Sequence, residues 1–387
     1  MEHLRELKEF ALLHARGQGM APAHAARVVA RIANDTPGDA RSWAAVWTAE
    51  ARTAARRGDD LAACRAYALA RFPYPADDPR RAAQRLCVDT FDTWRRGTGQ
   101  GRARSRPQDI ERLELPLPGG ASCHAWAAGL DRDRPLLVVM GGIVSVKEQW
   151  APLLPLLRRL GFAAVVTELP GVGENTLTYA PDSWRMLPAF LDHLRARARV
   201  ADTSLLALSF SGHLALRAAG KDTRIRRVLT VGAPVTAFFR DTAWRARVPD
   251  VTLDTLRLLT GAADREQLYA LLPEFALTDA DLAAVRIPVR YVVSSRDEII
   301  PPGERARLRQ APGDIRFKVF DDVHGSPSHL GATRRWLFGS LLRDRFLPSA
   351  GPLRRGRPDH APEPREADRP AVAQPVRARR PGERSAP

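Results

Sequence analysis

Two patterns of apolar and polar residues follow one another along the chain and change at about residue 106. In the first part, apolar residues recur at the spacing of a helix face, as Trp43, Val46 and Trp47 do after the potential cap Ser42. Clusters of glycine, proline and aspartate separate such segments from one another. We therefore predict an N-terminal helical domain over residues 1–105, and the glycine- and arginine-rich stretch 97–106 is typical of a linker.

After residue 106, short apolar runs alternate with amphipathic segments. A run that is apolar throughout, such as 135–140, is typical of a strand buried on both faces. The pattern predicts strands at 111–115, 123–128, 135–140, 162–167, 205–208, 228–231, 289–293 and 316–320, and helices at 147–160, 183–199 and 212–219. This alternation predicts an α/β fold over residues 106–346, in which helices cover both faces of a mostly parallel sheet.

One segment interrupts the alternation of strands and helices. Residues 235–285 have a helical pattern and several aromatic side chains, so we expect a helical excursion between two strands. Phe238, Phe239 and Trp244 in this excursion are candidates for the wall of a substrate pocket, with plain scaffold helices as the alternative. Residues 347–387 hold nine prolines and nine arginines but few large apolar residues, so we predict a disordered tail.

The composition restricts the classes of function. The net charge is +16, from 60 basic and 44 acidic residues, but the two signs are interleaved and no basic run carries aromatic stacking positions, so we expect no nucleic-acid partner. No stretch reaches the roughly 18 apolar residues of a membrane helix. The N-terminus lacks the apolar run of a secretory signal. We therefore expect a cytoplasmic protein without a membrane partner. The three cysteines have neither disulfide nor metal-ligand spacing, and we expect no metal and no cofactor.

The strongest chemical signal lies at the end of the predicted strand 205–208. Ser209 follows this strand directly, and the small residues Ala207 and Ser211 stand two positions before and after it. A nucleophile elbow requires small residues at both places because its turn is very tight; the usual sequence is G-x-S-x-G. Ser209 is the predicted nucleophile, and Ser211 is the alternative, although the bulky His213 follows Ser211 at the same spacing.

Two later segments provide partners for this nucleophile in the chain order Ser, acid, His. Asp297 lies on the loop after the seventh predicted strand, and His324 lies just beyond the eighth. In this triad the His takes the proton of the attacking Ser, and the Asp orients the imidazole and stabilises its charged form. Glu298 is the alternative acid, and His329 is the alternative base.

An acyl-transfer site also needs N–H donors for the oxyanion that forms during attack. The backbone N–H of Phe210, directly after the nucleophile, is the first candidate. The second comes from the loop after the third predicted strand, where glycines allow close approach of the backbone. Gly142 and Ile143 are both candidates there, and the sequence does not choose between them.

Four further segments of the chain form a characteristic set. They are Trp43 and Trp47, the run 71–81, the run 141–148 with its glycine pair and Lys147-Glu148, and Pro-Gly-Val-Gly-Glu at 170–174. With these segments the chain resembles the α/β-hydrolase superfamily and, within it, the FrsA-like esterases, a group that includes fungal pigment hydrolases of the yellowish-green type and pseudooxynicotine C–C hydrolases. The resemblance extends over about residues 40–346. It departs from the family pattern at Val144, where an acidic residue is expected, and at Ala207, which replaces the first elbow glycine.

The resemblance implies cleavage of an ester or related acyl bond through a Ser-Asp-His triad and an acyl-enzyme, with a small-molecule acyl or ketone substrate. Cleavage of a C–C bond or acyl transfer, on a polyketide-like or aromatic ketone of secondary metabolism, is the alternative. A non-catalytic, partner-binding regulator on a hydrolase scaffold is the alternative of a different class. A homodimer is the expected assembly. Glu148 is a further pocket candidate, with a structural carboxylate at a helix start as the competing interpretation.

Overall fold

The computed structural model describes residues 2–97 and 109–346. A strand lies at each of the eight predicted places. The fifth strand is longer than predicted, because the polar residues Arg199, Thr203 and Ser204 also pair with neighbouring strands. The strands are β1 Ile110–Pro116, β2 Ser122–Ala128, β3 Pro135–Met140, β4 Ala163–Thr167, β5 Arg199–Ala207, β6 Ile225–Val231, β7 Val289–Ser294 and β8 Ile315–Phe320.

The strands of the described residues form one sheet in the order β1-β2-β4-β3-β5-β6-β7-β8. β2 pairs antiparallel with β1 and β4, whereas the other neighbours pair parallel. β3 and β4 are buried at every position, which explains their continuous apolar sequences. The predicted α/β fold with a mostly parallel sheet is confirmed. Its parallel strands place their carboxyl ends, and the loops after them, at one edge.

The helices along the sheet are shorter than predicted in two places. The predicted helix 147–160 begins with two short 3-10 turns, because Pro152 and Pro155 lack the N–H that a helix interior needs. The predicted helix 183–199 begins with a 3-10 turn and ends before β5. The helices are α6 Leu154–Arg159, α7 Met186–Leu194, α8 Phe210–Ala219, α14 Gly303–Leu308 and α15 Leu330–Phe346.

Five helices precede the sheet, in agreement with the predicted helical pattern. The Ser42 hydroxyl accepts a hydrogen bond from the N–H of Ala45, and Trp43 and Trp47 are fully buried in the core. The predicted linker from 98 onward and the predicted tail 347–387 lie outside the described residues, and the domain boundaries stay predictions. The helices are α1 Glu2–Gly17, α2 Pro22–Ala30, α3 Trp43–Arg56, α4 Asp60–Ala70 and α5 Asp78–Arg96.

The segment between β6 and β7 is helical, as the sequence predicts. Within residues 2–97 and 109–346, no helix has both the length and the apolar character needed to cross a bilayer. The helices of the excursion are α9 Ala237–Arg240, α10 Thr242–Arg245, α11 Asp250–Thr260, α12 Arg265–Phe275 and α13 Asp279–Ala284.

Candidate active site

Ser209 occupies a strained turn between β5 and α8. Its φ is 55°, a left-handed conformation that is uncommon for residues other than glycine. Two hydrogen bonds hold the turn in the sheet: the Ser209 N–H donates to the carbonyl of Val231 at 2.8 Å, and the Leu208 N–H donates to that of Met140 at 3.0 Å. This geometry is that of a nucleophile elbow, in which strain exposes the serine hydroxyl at the end of the strand.

The residues after Ser209 explain how the elbow tolerates its unusual sequence. A Cβ on Gly212 would lie 2.1 Å from Thr230 Oγ1 and 2.6 Å from the Cβ of Ala233, so a glycine is needed at 212 rather than at 211. The hydroxyl of Ser211 is fully buried and donates to the carbonyl of Gly141. The structure therefore does not offer Ser211 as a nucleophile.

The structure brings the predicted triad together. Ser209 Oγ lies 3.0 Å from His324 Nε2. His324 Nδ1 lies 3.0 Å from each carboxylate oxygen of Asp297. Asp297 Oδ1 also accepts hydrogen bonds from the N–H groups of Ile299 at 3.0 Å and Ile300 at 2.8 Å. Because an ionised carboxylate can only accept, Nδ1 carries the imidazole proton, and Nε2 is free to accept the proton of Ser209.

The alternative acid and base occupy other positions. Glu298 Oε2 accepts from the backbone N–H of His324 at 2.9 Å and not from its ring. His329 Nδ1 pairs with Asp322 Oδ2 at 3.0 Å, and its ring stacks on Phe320 with centroids 4.7 Å apart. Glu298 therefore positions the loop that carries His324, and His329 belongs to a separate pair.

The environment of His324 favours its charged form. Burial lowers the pKa of the imidazole, but the charge and hydrogen bond of Asp297, together with the charge of Glu298, outweigh burial and raise the pKa above 6.5. An imidazolium formed when Ser209 loses its proton is therefore stabilised where it forms.

The predicted oxyanion donors lie next to Ser209. A Cβ on Gly142 would lie 3.1 Å from the Cβ and 3.5 Å from the Oγ of Ser209, so the loop after β3 approaches Ser209 closely. The carbonyl of Gly142 accepts from the N–H of Ser145 at 3.1 Å, which closes a tight turn that contains Ile143. Phe210 supplies the first N–H of α8, and a helix offers no internal acceptor for that group. The choice between Gly142 and Ile143 stays open.

Glu148 does not line the cavity beside Ser209, in contrast to the prediction. It belongs to an ionic cluster, which we define as Lys147, Glu148, Glu168 and Glu174. Lys147 Nζ lies 3.0 Å from Glu148 Oε1, 3.4 Å from Glu168 Oε2 and 2.6 Å from Glu174 Oε2. Glu148 Oε1 also accepts from Trp126 Nε1 at 2.8 Å. The adjacent lysine thus draws the carboxylate into the core.

The ionic cluster contacts the loop after β3, residues 141–147, which we call the oxyanion loop. The N–H of Lys147, at the end of that loop, donates to Glu168 Oε1 at 3.0 Å. Burial opposes charge on Lys147, but the three carboxylates outweigh it and raise the pKa of the ammonium. From the helical segment, Arg71 Nη1 donates to the carbonyl of Val144 at 2.8 Å. The loop is therefore held by hydrogen bonds to a buried carboxylate and to a buried guanidinium.

A cavity of about 230 Å³ opens next to Ser209 and His324. Its wall is mostly apolar and combines the oxyanion loop with three elements that the sequence does not connect to the site. α1 supplies Phe10 and Leu13, α11 supplies Val251 and Thr252, and α15 supplies Leu337 and Phe338.

α1 is fixed over the cavity by hydrogen bonds to two other elements. Glu6 Oε1 accepts from the N–H of Val251 on α11 at 2.7 Å, and Arg334 Nη2 on α15 donates to the carbonyl of Gly17 at 3.1 Å. His14 of α1 also lines the cavity, and burial lowers the pKa of His14 to about 4, with His324 and Arg71 acting in the same direction. This histidine is therefore neutral at pH 7.

The aromatic residues predicted for the pocket wall do not line this cavity. Phe238 and Phe239 are fully buried and pack on Phe210, with ring centroids 5.1 and 6.4 Å away. Trp244 Nε1 donates to the carbonyl of Ile299 at 2.8 Å. Burial of an aromatic side chain is favourable on any side of a helix. The residue type therefore did not predict whether these side chains face the cavity or the core.

The sequence did not predict the cavity residues on α1, directly after it, or on α15. Gln18 and Thr333 line the cavity, although Gln18 stands in a glycine break after a helix and Thr333 in an ordinary helical pattern. No local signal distinguishes these two positions from surface residues. Across residues 2–97 and 109–346, no group of three or more His, Cys, Asp or Glu side chains that could hold a metal ion is found.

Two curated relatives match part of the chain. The esterase FrsA of Enterobacter sp. strain 638 is 25% identical over 267 residues, which are 64% of this chain and 61% of that protein. The hydrolase acrC of Aspergillus aculeatus is 28% identical over 257 residues, 55% of this chain and 57% of that protein. The chain thus spans about three fifths of the length of these curated relatives.

Two solved structures share the fold. AbyA5 is 49% identical with a TM-score of 0.82, and the match covers 88% of this chain and 94% of that chain. A 2,6-dihydroxy-pseudo-oxynicotine hydrolase is 18% identical with a TM-score of 0.66, covering 86% and 95%. The sequence model of the family described as "Esterase FrsA-like" matches residues 40–308. The chain therefore belongs to the FrsA-like esterase family and has the α/β-hydrolase fold.

Proposed function

We propose that this hydrolase cleaves an ester or a related acyl bond through a covalent acyl intermediate on Ser209. One observation carries the proposal: the strained Ser209 places its Oγ 3.0 Å from His324 Nε2, while Asp297 holds the opposite ring nitrogen. A serine hydroxyl is a weak nucleophile unless an adjacent base accepts its proton.

The chemistry divides into two balanced steps. Ser209 Oγ attacks the carbonyl carbon, and its proton moves to His324 Nε2, which then donates it to the leaving alcohol as the acyl–oxygen bond breaks. Water attacks the acyl-serine, again losing a proton to His324, and the acid leaves as Ser209 recovers its proton. In both steps the oxyanion meets the N–H of Phe210 and one N–H of the oxyanion loop, each donor contributing about 3 kcal/mol.

Hydrolysis of a panel of 4-nitrophenyl and naphthyl esters tests this function. Ser209→Ala should lower kcat/KM by about 10⁴-fold or more, and Asp297→Asn by about 10⁴-fold, because Asn favours the wrong imidazole tautomer. Ser211→Ala is the matched control, since it removes the neighbouring hydroxyl, and should retain activity within about tenfold. Equal losses in both serine variants, or no turnover by the folded wild type, would contradict the proposal.

A further inference from the structure

Four side chains around the cavity carry buried polar atoms that find no hydrogen-bond partner among the described residues. They are Gln18 with both Nε2 and Oε1, Gln149 with Oε1, Trp150 with Nε1 and Thr333 with Oγ1. Gln18 and Thr333 are only 9% and 5% exposed. Buried polar groups are nearly always bonded, because burying one without a partner costs free energy. Their coincidence in one cavity therefore points to a ligand that supplies the missing partners.

The residues that carry these atoms belong to different walls of the cavity. Trp150 Nε1 lies 2.7 Å from where a Cβ on Gly141 would be, which puts it beside the oxyanion loop. Gln18 follows the end of α1, and Thr333 lies on α15 next to Arg334, the residue that joins α15 to α1 through Gly17. A ligand in contact with these groups must therefore present polar atoms in more than one direction.

The chemistry of the unpaired atoms limits the ligand. Trp150 Nε1 can only donate, so it requires an acceptor oxygen, whereas the Gln18 carboxamide requires both an acceptor and a donor. A hydroxyl such as that of Thr333 can serve either role. Carbonyl oxygens and hydroxyl groups together meet these requirements.

The volume of the cavity limits the size of the ligand. The cavity of about 230 Å³ exceeds the roughly 150 Å³ that accommodates benzene in an engineered protein.

We propose that Gln18, Trp150 and Thr333 bind the oxygen groups of the substrate. The substrate is then an ester or acyl compound, at least as large as a substituted ring, whose apolar carbon skeleton carries both carbonyl and hydroxyl oxygens. This inference rests on the proposed function, because it names the substrate class of the site at Ser209.

Calorimetric titration of the full chain carrying Ser209→Ala tests the inference without requiring turnover. The probes are 1-tetralone, 1-tetralol and 4-hydroxy-1-tetralone, each compared with the parent hydrocarbon tetralin. We expect at least one oxygenated probe to bind about tenfold or more tightly than tetralin. Adding Gln18→Met should remove most of this preference, because the apolar side chain fills the space without offering a hydrogen bond.

Tyr179→Phe is the matched control. Its hydroxyl is also buried without a partner in the described chain, but Tyr179 does not line the cavity, so the preference should be unchanged. Thr333→Val provides a second test of the same loss if Gln18→Met does not fold. The inference is overturned if no oxygenated probe binds more tightly than tetralin, if the preference survives in Gln18→Met or, in its place, Thr333→Val, or if Tyr179→Phe removes it equally.

The two proposals can fail separately. If the Ser209→Ala chain shows no preference for oxygenated probes while the wild type cleaves esters normally at Ser209, this inference alone is overturned. Retention of the preference in a chain whose Ser209 takes no part in cleavage would overturn the proposed function alone.

Discussion

Adjacent residues of this chain enter two buried polar regions that are built in opposite ways. Lys147 and Glu148 join the ionic cluster, where every charged group pairs with another. Gln149 and Trp150 line the cavity, where their buried polar atoms find no partner in the described chain. The cluster is complete in the free protein and fixes the oxyanion loop. The cavity is incomplete without a ligand, and this difference separates a structural polar region from a binding one.

Removing the cation of the ionic cluster should have the largest effect on stability. Lys147→Met leaves buried carboxylates without their partner, so we expect the free energy of unfolding to fall by about 3–5 kcal/mol. Urea denaturation measures the change. Arg112→Gln is the control, because its pair with Glu174 is more than one-third exposed on the Arg112 side and should contribute less than about 1 kcal/mol. Equal losses in the two variants would mean that the cluster is not held by its buried lysine.

A pair of glycine substitutions separates the two regions further. Gly173 has a φ of 60°, and a Cβ there would lie 1.9 Å from Glu168 Oε1, so Gly173→Ala should destabilise the fold by more than about 2 kcal/mol. A Cβ on Gly142 would instead meet Ser209 at 3.1 Å. Gly142→Ala should therefore leave stability within about 1 kcal/mol of wild type but lower kcat about tenfold or more. Thermal unfolding and steady-state kinetics of both variants measure the two effects. Equal losses of stability, or equal losses of kcat, in the two variants would contradict this prediction.

Replacing Gln18 of the cavity with methionine should change the free energy of unfolding in the opposite direction from Lys147→Met. Gln18→Met removes a buried carboxamide without a partner, so the unligated protein should gain about 1 kcal/mol in urea denaturation. Tyr179→Phe should give a gain of the same kind without any effect at the cavity. A loss of stability in Gln18→Met would show that the free protein already satisfies this amide.

The smallest expected effect concerns Glu298, the one carboxylate among the described residues of the cavity wall. The charge of Glu298 contributes to the raised pKa of His324, so the pKa should fall in Glu298→Gln, whose amide oxygen still accepts from the His324 N–H. Because the base must be neutral to accept a proton, the acidic limb of the kcat/KM profile should lie above pH 6.5 in wild type and move to lower pH in the variant. An unmoved limb would exclude this electrostatic contribution.

The strands, and the proximity of Ser209, Asp297 and His324, could be predicted from the sequence because the signals are local. A continuous apolar run such as 135–140 reports burial on both faces, and a small-residue turn such as that around Ser209 reports its own backbone geometry. Strand ends then placed Asp297 and His324 at the same edge of the sheet, where the structure finds them in contact.

The lining of the cavity could not be predicted from the sequence, because it depends on packing between elements that are distant along the chain. Gln18 and Thr333 are separated by most of the chain, and only the packing of α1 beside α15 brings them to one cavity. Glu148 shows the converse: its sequence position suits a pocket, but a buried lysine beside it and Trp126 draw it into the core. Packing between elements, rather than residue type, decided each of these cases.

Intact-mass spectrometry after incubation with a fluorophosphonate tests the activation of Ser209 most directly. The wild type should gain one covalent adduct, Ser211→Ala should gain it as well, and Ser209→Ala should gain none. An adduct that persists in Ser209→Ala, or a folded wild type that takes up no adduct, would contradict an activated serine at this elbow.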